Sequence, residues 1–253
     1  MKGILTDTTK CIGCRECVLA CKATYDLGAE LPSRWILDDG LSALNWTSIV
    51  EAEEGKFVRK QCRHCIEPAC VSVCPVAALT KTSEGAVIYD GDICMGCRYC
   101  MMACPYGIPR YDWNSRVPTV RKCILCADKI KEGKLPSCVE ACPTGATIFG
   151  EREELLAEAH RRIEKYPNRY KPLVYGEKEV GGNAVLYISD TDLSFLTYGS
   201  ALPEEAMPTR TAPAMHAVPI VFVGMGATMA GLKWIIDRRN KKNGGGDSHS
   251  GGN

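Results

Sequence analysis

The stretch CMGCRYCMMACP at residues 94–105 decides the fold of this chain, because it spaces four cysteines as C-x2-C-x2-C-x3-C and ends on a proline. Residues 11–21, CIGCRECVLAC, repeat the spacing without the proline. Two further groups, residues 62–75 and 123–143, begin with C-x2-C and end with C-x3-C-P. The four groups contain all sixteen cysteines of the 253-residue chain: Cys11, Cys14, Cys17, Cys21, Cys62, Cys65, Cys70, Cys74, Cys94, Cys97, Cys100, Cys104, Cys123, Cys126, Cys138 and Cys142. The sequence therefore repeats one cysteine-rich unit.

Dense cysteine has three common explanations, which are a disulfide scaffold, zinc sites and iron–sulfur clusters. Thiolates at i, i+3 and i+6 can wrap three corners of a cubane, and the cysteine before the proline binds the neighbouring cluster. A zinc site uses pairs of ligands, so it leaves the third close cysteine without a role. Disulfides give no reason for this triplet to recur. The spacing thus predicts iron–sulfur clusters.

The repeat predicts an α+β fold with two ferredoxin-like units, each holding two clusters, within residues 1–150. The units need not be consecutive, and groups two and three are the strongest pair because both end in Cys-Pro. Trp35 and Trp46 lie in an insertion at residues 22–61. Residue alternation and composition predict short strands: 56–59, 85–89, 145–149 and 184–189.

The remainder of the chain has a different character. Residues 151–165 have acidic side chains first, basic side chains last and apolar side chains at helical spacing, which predicts an amphipathic helix. We expect this helix to belong to an extension, residues 151–199, that packs on the cluster domain. Three prolines predict an extended linker at 200–214. A transmembrane helix is predicted at 215–237, because its apolar segment reaches about 30 Å as a helix; a buried core helix is the alternative. A basic and then Gly/Ser-rich tail is predicted at 238–253.

Basic residues predict the orientation in the membrane. Five of them lie at the C-terminal end of the apolar segment: Lys233, Arg238, Arg239, Lys241 and Lys242. Arg210 is the only Lys or Arg in residues 201–216. The positive-inside tendency then places the cluster domain on the periplasmic face of a cell inner membrane. Residues 1–10 contain neither a twin arginine nor an apolar stretch, so we expect export to depend on a signal-bearing partner.

With these motifs the chain resembles the four-cluster iron–sulfur subunits of periplasmic membrane-bound [NiFe] hydrogenases (hydrogenase-2 type), formate dehydrogenases and molybdopterin oxidoreductases. The resemblance rests on the four cysteine groups, including QCRHC at 61–65 and KCILC at 122–126. It implies four [4Fe–4S] clusters that relay electrons between a catalytic subunit and a quinone-reactive integral membrane subunit. Residues 150–155 and 175–182 look most like the hydrogenase branch. A membrane-bound formate dehydrogenase or another molybdopterin oxidoreductase is the alternative.

The resemblance also implies which cysteines share a cluster, with groups one and four paired and groups two and three paired. Set A is Cys11, Cys14, Cys17 and Cys142; set B is Cys21, Cys123, Cys126 and Cys138; set C is Cys74, Cys94, Cys97 and Cys100; set D is Cys62, Cys65, Cys70 and Cys104. Each set takes its fourth ligand from the other group of its pair. Lys22 departs from the pattern, since the other groups have proline there, and we expect it to change only the local loop.

A few other residues are of interest. We interpret His64, between two cysteines, as a loop residue rather than a ligand, and His216 as an interfacial residue. Several basic residues either offset cluster charge or form a solvated face: Lys10, Arg15, Lys22, Arg63, Arg98, Arg121 and Lys122.

The sequence also argues against other classes of function. It contains no nucleophile elbow, phosphate loop or dinucleotide fingerprint. The net charge of +1 gives no footprint for nucleic acid. We therefore expect a non-catalytic electron-transfer subunit at a membrane. A self-contained redox enzyme and a soluble ferredoxin are the rival hypotheses.

Overall fold

The structure is a computed structural model that describes residues 1–28, 39–113, 115–116, 119–197 and 202–243. Trp35, residues 200–201 of the predicted linker and the tail from residue 244 lie outside the described residues. The chain divides into two units, Met1–Pro208 and Thr209–Asn253. All sixteen cysteines lie in the first unit, and its division into two ferredoxin-like halves remains a prediction.

The described residues form short strands and helices joined by the cysteine loops. The strands are β1 Lys2–Asp7, β2 Ser48–Glu53, β3 Lys56–Lys60, β4 Leu79–Lys81, β5 Val87–Tyr89, β6 Arg110–Tyr111, β7 Val120–Arg121, β8 Thr147–Glu151 and β9 Val185–Ile188. The helices are α1 Glu16–Tyr25, α2 Ala69–Ser72, α3 Tyr99–Ala103, α4 Ala127–Lys131, α5 Ser137–Glu140, α6 Arg152–Lys165 and α7 Met207–Asn243. This mixture of helix and strand agrees with the predicted α+β class.

The N-terminal strand β1 is the centre of a three-stranded sheet with the order β8–β1–β9. It runs antiparallel to β8 and parallel to β9, so that Ile4 lies opposite both Phe149 and Val185. Because successive side chains of a strand point to opposite faces, Ile4 joins the core that contains cysteines, and Leu5 packs on the other side. β1 therefore joins the two halves of the core.

Helix α6 covers the face of the sheet opposite the cysteines. Leu155, Leu156 and Ala159 are buried against Leu5 and Leu186, as the amphipathic pattern predicts. Burying one such leucine stabilises the fold by about 1.5–3 kcal/mol. The predicted extension contributes the strand β9 to the central sheet, since β9 pairs directly with β1.

Proline sets the length of the helices that end the cysteine groups. Helix α3 stops at Ala103, because Cys104 precedes Pro105 and a residue before proline disfavours helical backbone. Helix α1 has no such proline and continues through Lys22 to Tyr25. The departure at Lys22 therefore lengthens a helix and brings the Tyr25 ring within 4.9 Å of the Trp46 ring, centroid to centroid.

The second unit contains most of helix α7, which is the single helix among the described residues that is long and apolar enough to cross a membrane. It begins at Met207, eight residues before the predicted start at 215, so residues 207–214 of the extended linker predicted at 200–214 are helical. Pro208 lies in the first turn, where the missing N–H costs nothing, and this suits a helix start. Pro213 and Pro219 lie within the helix, as transmembrane helices tolerate.

Candidate iron–sulfur sites

The loops of groups one and three share one backbone conformation. Gly13 and Gly96 have φ angles of 71° and 70°, which favour glycine. In each loop the glycine N–H donates to the sulfur of the first cysteine, Gly13 to Cys11 and Gly96 to Cys94. A Cβ at Gly13 would also lie 2.8 Å from the Phe57 ring. The conformation and the close ring explain why glycine stands in the C-x-G-C pattern.

The sulfurs before the prolines receive a second recurrent contact. The backbone N–H of Ala78 donates to the Cys74 sulfur at 3.2 Å, and that of Ile108 donates to the Cys104 sulfur at 3.5 Å. The donor follows the cysteine by four residues in both cases. Hydrogen bonds to a thiolate favour its charged form, which is the form that binds metal.

Three cavities in the first unit are each lined by all four cysteines of one implied set. The set A cysteines line a cavity together with Cys138 of set B and the side chain of Arg59. The set B cysteines line a second cavity with Tyr25 and Trp46. The set C cysteines line a third with Tyr89. The structure thus brings each fourth cysteine of these sets to the loop of its partner group.

The cysteines of set D are also close together. Burial raises the pKa of the Cys65 thiol well above its usual value, and Cys104, Cys62 and Cys70 raise it further by their charge. Such an effect requires short separations, because charge–charge interactions weaken with distance. The cysteines of each implied set are therefore near one another in the first unit, and their assignment to four clusters stays a prediction.

The arrangement of the thiols fits iron–sulfur clusters. Across the described residues, no three His, Cys, Asp or Glu side chains meet closely enough to hold a single metal ion. Thiols spread around a cavity suit the corners of a cubane better than one zinc ion. Burial raises the pKa of Cys17 to about 11 and that of Cys21 and Cys70 to about 12. These thiols stay protonated at neutral pH unless a bound metal displaces the protons.

Cysteines of different sets also lie near one another. Beyond the effect of burial, four thiol pKa values are raised by a cysteine of another set: Cys17 by Cys138, Cys21 by Cys17, Cys123 by Cys62, and Cys70 by Cys100. These effects indicate that set A neighbours set B, that B neighbours D, and that D neighbours C. Cys14 of set A and Cys97 of set C are the exposed cysteines. A row in the order A–B–D–C would therefore have an exposed thiol at each end.

Two lysines lie beside set D. The Nζ of Lys122 donates to the carbonyl oxygen of Cys123 at 2.9 Å, and the Nζ of Lys81 donates to that of Cys65 at 2.6 Å. Burial raises the pKa of Cys70 and Cys65, and the positive charges of Lys122 and Lys81 respectively oppose that rise. These lysines place positive charge where four thiolates would gather negative charge.

Arg63 occupies an aromatic box beside the same loop. The centre of its guanidinium lies 4.2 Å from the ring centroid of Tyr187, 5.5 Å from that of Tyr106 and 5.6 Å from that of Tyr175. The side chain is 1% exposed, so cation–π contacts replace water around its charge.

The basic residues that flank the cysteines differ in burial. Arg63 and Lys122 are buried near set D, Arg15 and Arg98 are exposed, and Lys10, Lys22 and Arg121 are half-buried. Lys81 and Arg59 could not be predicted from the motifs, because neither adjoins a cysteine. The alternation of residues 56–59 predicted a strand, but it did not predict that Arg59 would face the thiols.

Comparisons with known proteins agree with this chemistry. Residues 54–152 match the model of the 4Fe–4S dicluster domain. A protein of Nitratidesulfovibrio vulgaris is 41% identical, over 95% of this chain and 68% of its own. The hydrogenase-2 operon protein HybA of Escherichia coli O157:H7 is 38% identical, over 99% of this chain and 87% of its own. The iron–sulfur subunit of the nitrate-inducible formate dehydrogenase of Escherichia coli K12 is 36% identical, over 90% of this chain and 82% of its own.

These similarities extend well beyond the cysteine groups, since the last two relatives are each covered over more than four-fifths of their length. They also include the sheet strands β1 and β9, which lie outside the dicluster match. The chain therefore belongs to the family of ferredoxin-like iron–sulfur electron-transfer subunits.

Proposed function

We propose that the chain holds four [4Fe–4S] clusters in the order A–B–D–C and relays electrons between a catalytic subunit and a quinone-reactive integral membrane subunit. The observation that carries this proposal is that set A neighbours B, B neighbours D and D neighbours C, while the exposed cysteines Cys14 and Cys97 belong to sets A and C. When bound, each cubane supplies a one-electron carrier. The residues of the chain fix the separation of the carriers and cover those in the middle of the row.

The exchanged cysteines support a fold of two ferredoxin-like halves. Sets A and B exchange Cys21 and Cys142, and sets C and D exchange Cys74 and Cys104. In two-cluster ferredoxins the fourth cysteine of each group likewise binds the other cluster. One half then combines the first and last groups of the chain, and the other half is formed by the two middle groups.

The catalytic partner is of the [NiFe] hydrogenase type in this proposal. The support is the match to the hydrogenase-2 operon protein HybA, which covers 99% of this chain. A formate dehydrogenase, or another molybdopterin oxidoreductase, is the alternative, and the 36% identity to a formate dehydrogenase iron–sulfur subunit favours it.

We place the membrane partner at the set C end of the row. The chain leaves the first unit beside group two, because the Gly181 N–H donates to the Glu204 carbonyl at 2.7 Å and the Ile66 N–H donates to the Gly182 carbonyl at 2.9 Å. Group two supplies three ligands of set D, the neighbour of set C. Group two lies near the N-terminal end of β1, whereas Cys11 of set A follows its C-terminal end.

The surface around set C suits an interface, as does the group-one loop, where Ile12 and Leu19 are 61% and 57% exposed. Ile93, Met95, Tyr99 and Met102 are apolar and 49%, 64%, 62% and 86% exposed. They lie on or beside the loop that supplies three of the four set C cysteines. A contiguous apolar patch on a protein surface marks an interaction site, and permanent interfaces are the more hydrophobic ones. We assign this patch to the integral membrane subunit.

Helix α7 anchors the chain in the membrane in this proposal. Its basic C-terminal end, with Lys241 and Lys242 in the last turn, is assigned to the cytoplasm by the positive-inside tendency. The cluster-bearing unit is then periplasmic.

Two matched variants test the order and its polarity. Cys14→Ala damages the set A end, and Cys97→Ala damages the set C end. The complex is purified anaerobically from membranes and reduced with hydrogen, or with formate if hydrogen reduces nothing. We expect the remaining clusters to be reduced in Cys97→Ala and to stay oxidised in Cys14→Ala. The opposite result reverses the polarity, and equal reduction of both variants contradicts a single row.

A further inference from the structure

Arg59 carries a buried charge that the described protein residues do not balance. Its side chain is 2% exposed. The Nη2 atom donates to the Thr6 hydroxyl at 3.4 Å, and the guanidinium also approaches the Cys138 sulfur, while Nε and Nη1 have no nitrogen or oxygen partner among the described residues. No carboxylate of the described chain forms an ion pair with it. A buried charge with unsatisfied donors is costly, so the position requires a negative partner.

The position of Arg59 identifies that partner. Its side chain lines the cavity of set A, and Cys138 of set B lines the same wall. Arg59 therefore lies beside set A and on the same cavity as a cysteine of set B.

We propose that Arg59 is the shared counter-ion of the clusters in sets A and B, and that its charge raises the reduction potentials of both. This inference rests on the proposed ligand sets. A cluster gains negative charge on reduction, so a fixed positive charge nearby stabilises the reduced form. Arginine suits two neighbours at once, because its planar guanidinium stays charged and presents five N–H donors in different directions.

Arg15 provides a matched control. It follows Cys14, and it lines the same cavity as Arg59, but its side chain is exposed. Water and salt screen an exposed charge much more strongly than a buried one. Two arginines beside the same cavity therefore differ mainly in burial.

The test compares Arg59→Met, Arg59→Lys and Arg15→Met in the complete complex, extracted anaerobically and loaded with iron. Midpoint potentials of all clusters are measured by potentiometric titration with electron paramagnetic resonance. In Arg59→Met we expect two of the four potentials to fall, each by at least the 59 mV that corresponds to a tenfold change in the one-electron equilibrium. Arg59→Lys retains the charge and shifts them less, and Arg15→Met shifts none by this amount. A change in no cluster, in one only, or in all four overturns the proposal.

Iron content separates the possible failures. A wild-type complex with fewer than about sixteen iron atoms per chain refutes the proposed ligand sets themselves. Full iron with unchanged potentials in Arg59→Met refutes only the role of Arg59.

If Arg59→Met loses iron, Arg59→Gln and Arg59→Lys decide the matter. Full iron in Arg59→Lys with about eight iron atoms lost from Arg59→Gln supports the counter-ion, and equal loss from both overturns it. If Arg59→Gln keeps its iron, its midpoint potentials are measured in place of those of Arg59→Met, and a fall in two of the four potentials is again the expected result.

Discussion

The Nδ1 atom of His64 accepts a hydrogen bond of 2.9 Å from the backbone N–H of Val87. This bond joins the loop of group two to β5 inside the core, where His64 is 0% exposed. Burial, and then the charges of Lys122 and Lys81, hold the pKa of His64 well below its usual value. We infer that the ring is neutral, carries its proton on Nε2 and does not bind iron through Nδ1.

Replacement of this histidine should affect stability more than cluster content. His64→Leu leaves the Val87 N–H buried without an acceptor, which should destabilise the protein by about 1–3 kcal/mol. His64→Asn keeps a side-chain oxygen and tolerates the left-handed backbone, with φ of 48°, so it should cost less. Thermal unfolding of the anaerobic protein measures both changes. Conversion of one cluster to a three-iron form in His64→Leu would instead identify the ring as a ligand.

The metal content follows from four complete ligand sets. The anaerobically purified chain should contain about sixteen iron and sixteen sulfide per chain and show only cubane signals when reduced. Elemental analysis and electron paramagnetic resonance measure these quantities. Zinc in place of iron, or a stable three-iron signal in the oxidised protein, would contradict the assignment.

The exchange of fourth cysteines is tested by Cys74→Ala. Cys74 belongs to group two in sequence but is assigned to set C, whose cavity it lines. The variant should damage the set C cluster, with a loss of about one to four iron atoms, and leave the set D cluster intact. Cys70→Ala, in the same helix region, is the control that should damage set D. Loss of set D alone in Cys74→Ala would show that the pairing is wrong.

Truncation tests the role of helix α7 as an anchor. A chain that ends at Pro208 retains the whole first unit, so it should be soluble and loaded with clusters but fail to deliver electrons to quinone. Activity of the catalytic subunit with an artificial acceptor should survive. A truncated chain that still sediments with membranes would mean that α7 is not the main anchor.

Protease accessibility tests the orientation. Glu204 and Glu205 are exposed just before α7, so a glutamate-specific protease should cleave there in intact spheroplasts if the first unit is periplasmic. Lysed spheroplasts control for cleavage as such. Cleavage only in inverted vesicles would place the cysteine sets in the cytoplasm.

Much of the fold was predictable from local pattern. The strands at 56–59, 85–89, 145–149 and 184–189 correspond to β3, β5, β8 and β9, and the amphipathic helix is α6. The central strand β1 was missed, because Ile4 and Leu5 are both buried and residues 2–7 show no alternation of apolar and polar side chains. A strand covered on both faces lacks the signal that marks one with a solvent face.

The candidate site was predictable in its ligands and less so in its surroundings. Cysteine spacing pointed to the chemistry, since metal ligands must recur at fixed intervals in a loop. The charges around the thiols follow no such rule. Lys81 and Arg59 reach the cysteines through tertiary packing of hairpins. Their positions in the sequence therefore did not predict that they would lie near the thiols.

The central position of β1 also constrains biosynthesis. β1 leaves the ribosome before its parallel neighbour β9, which is made ~180 residues later, roughly 10–40 s at ordinary rates of elongation. For most of that interval Cys11, Cys14 and Cys17 are present on the nascent chain without Cys142. Assembly of the set A centre therefore belongs after most of the first unit has been translated. Closure of the sheet then withdraws the loaded loops from solvent and from the proteins that deliver iron.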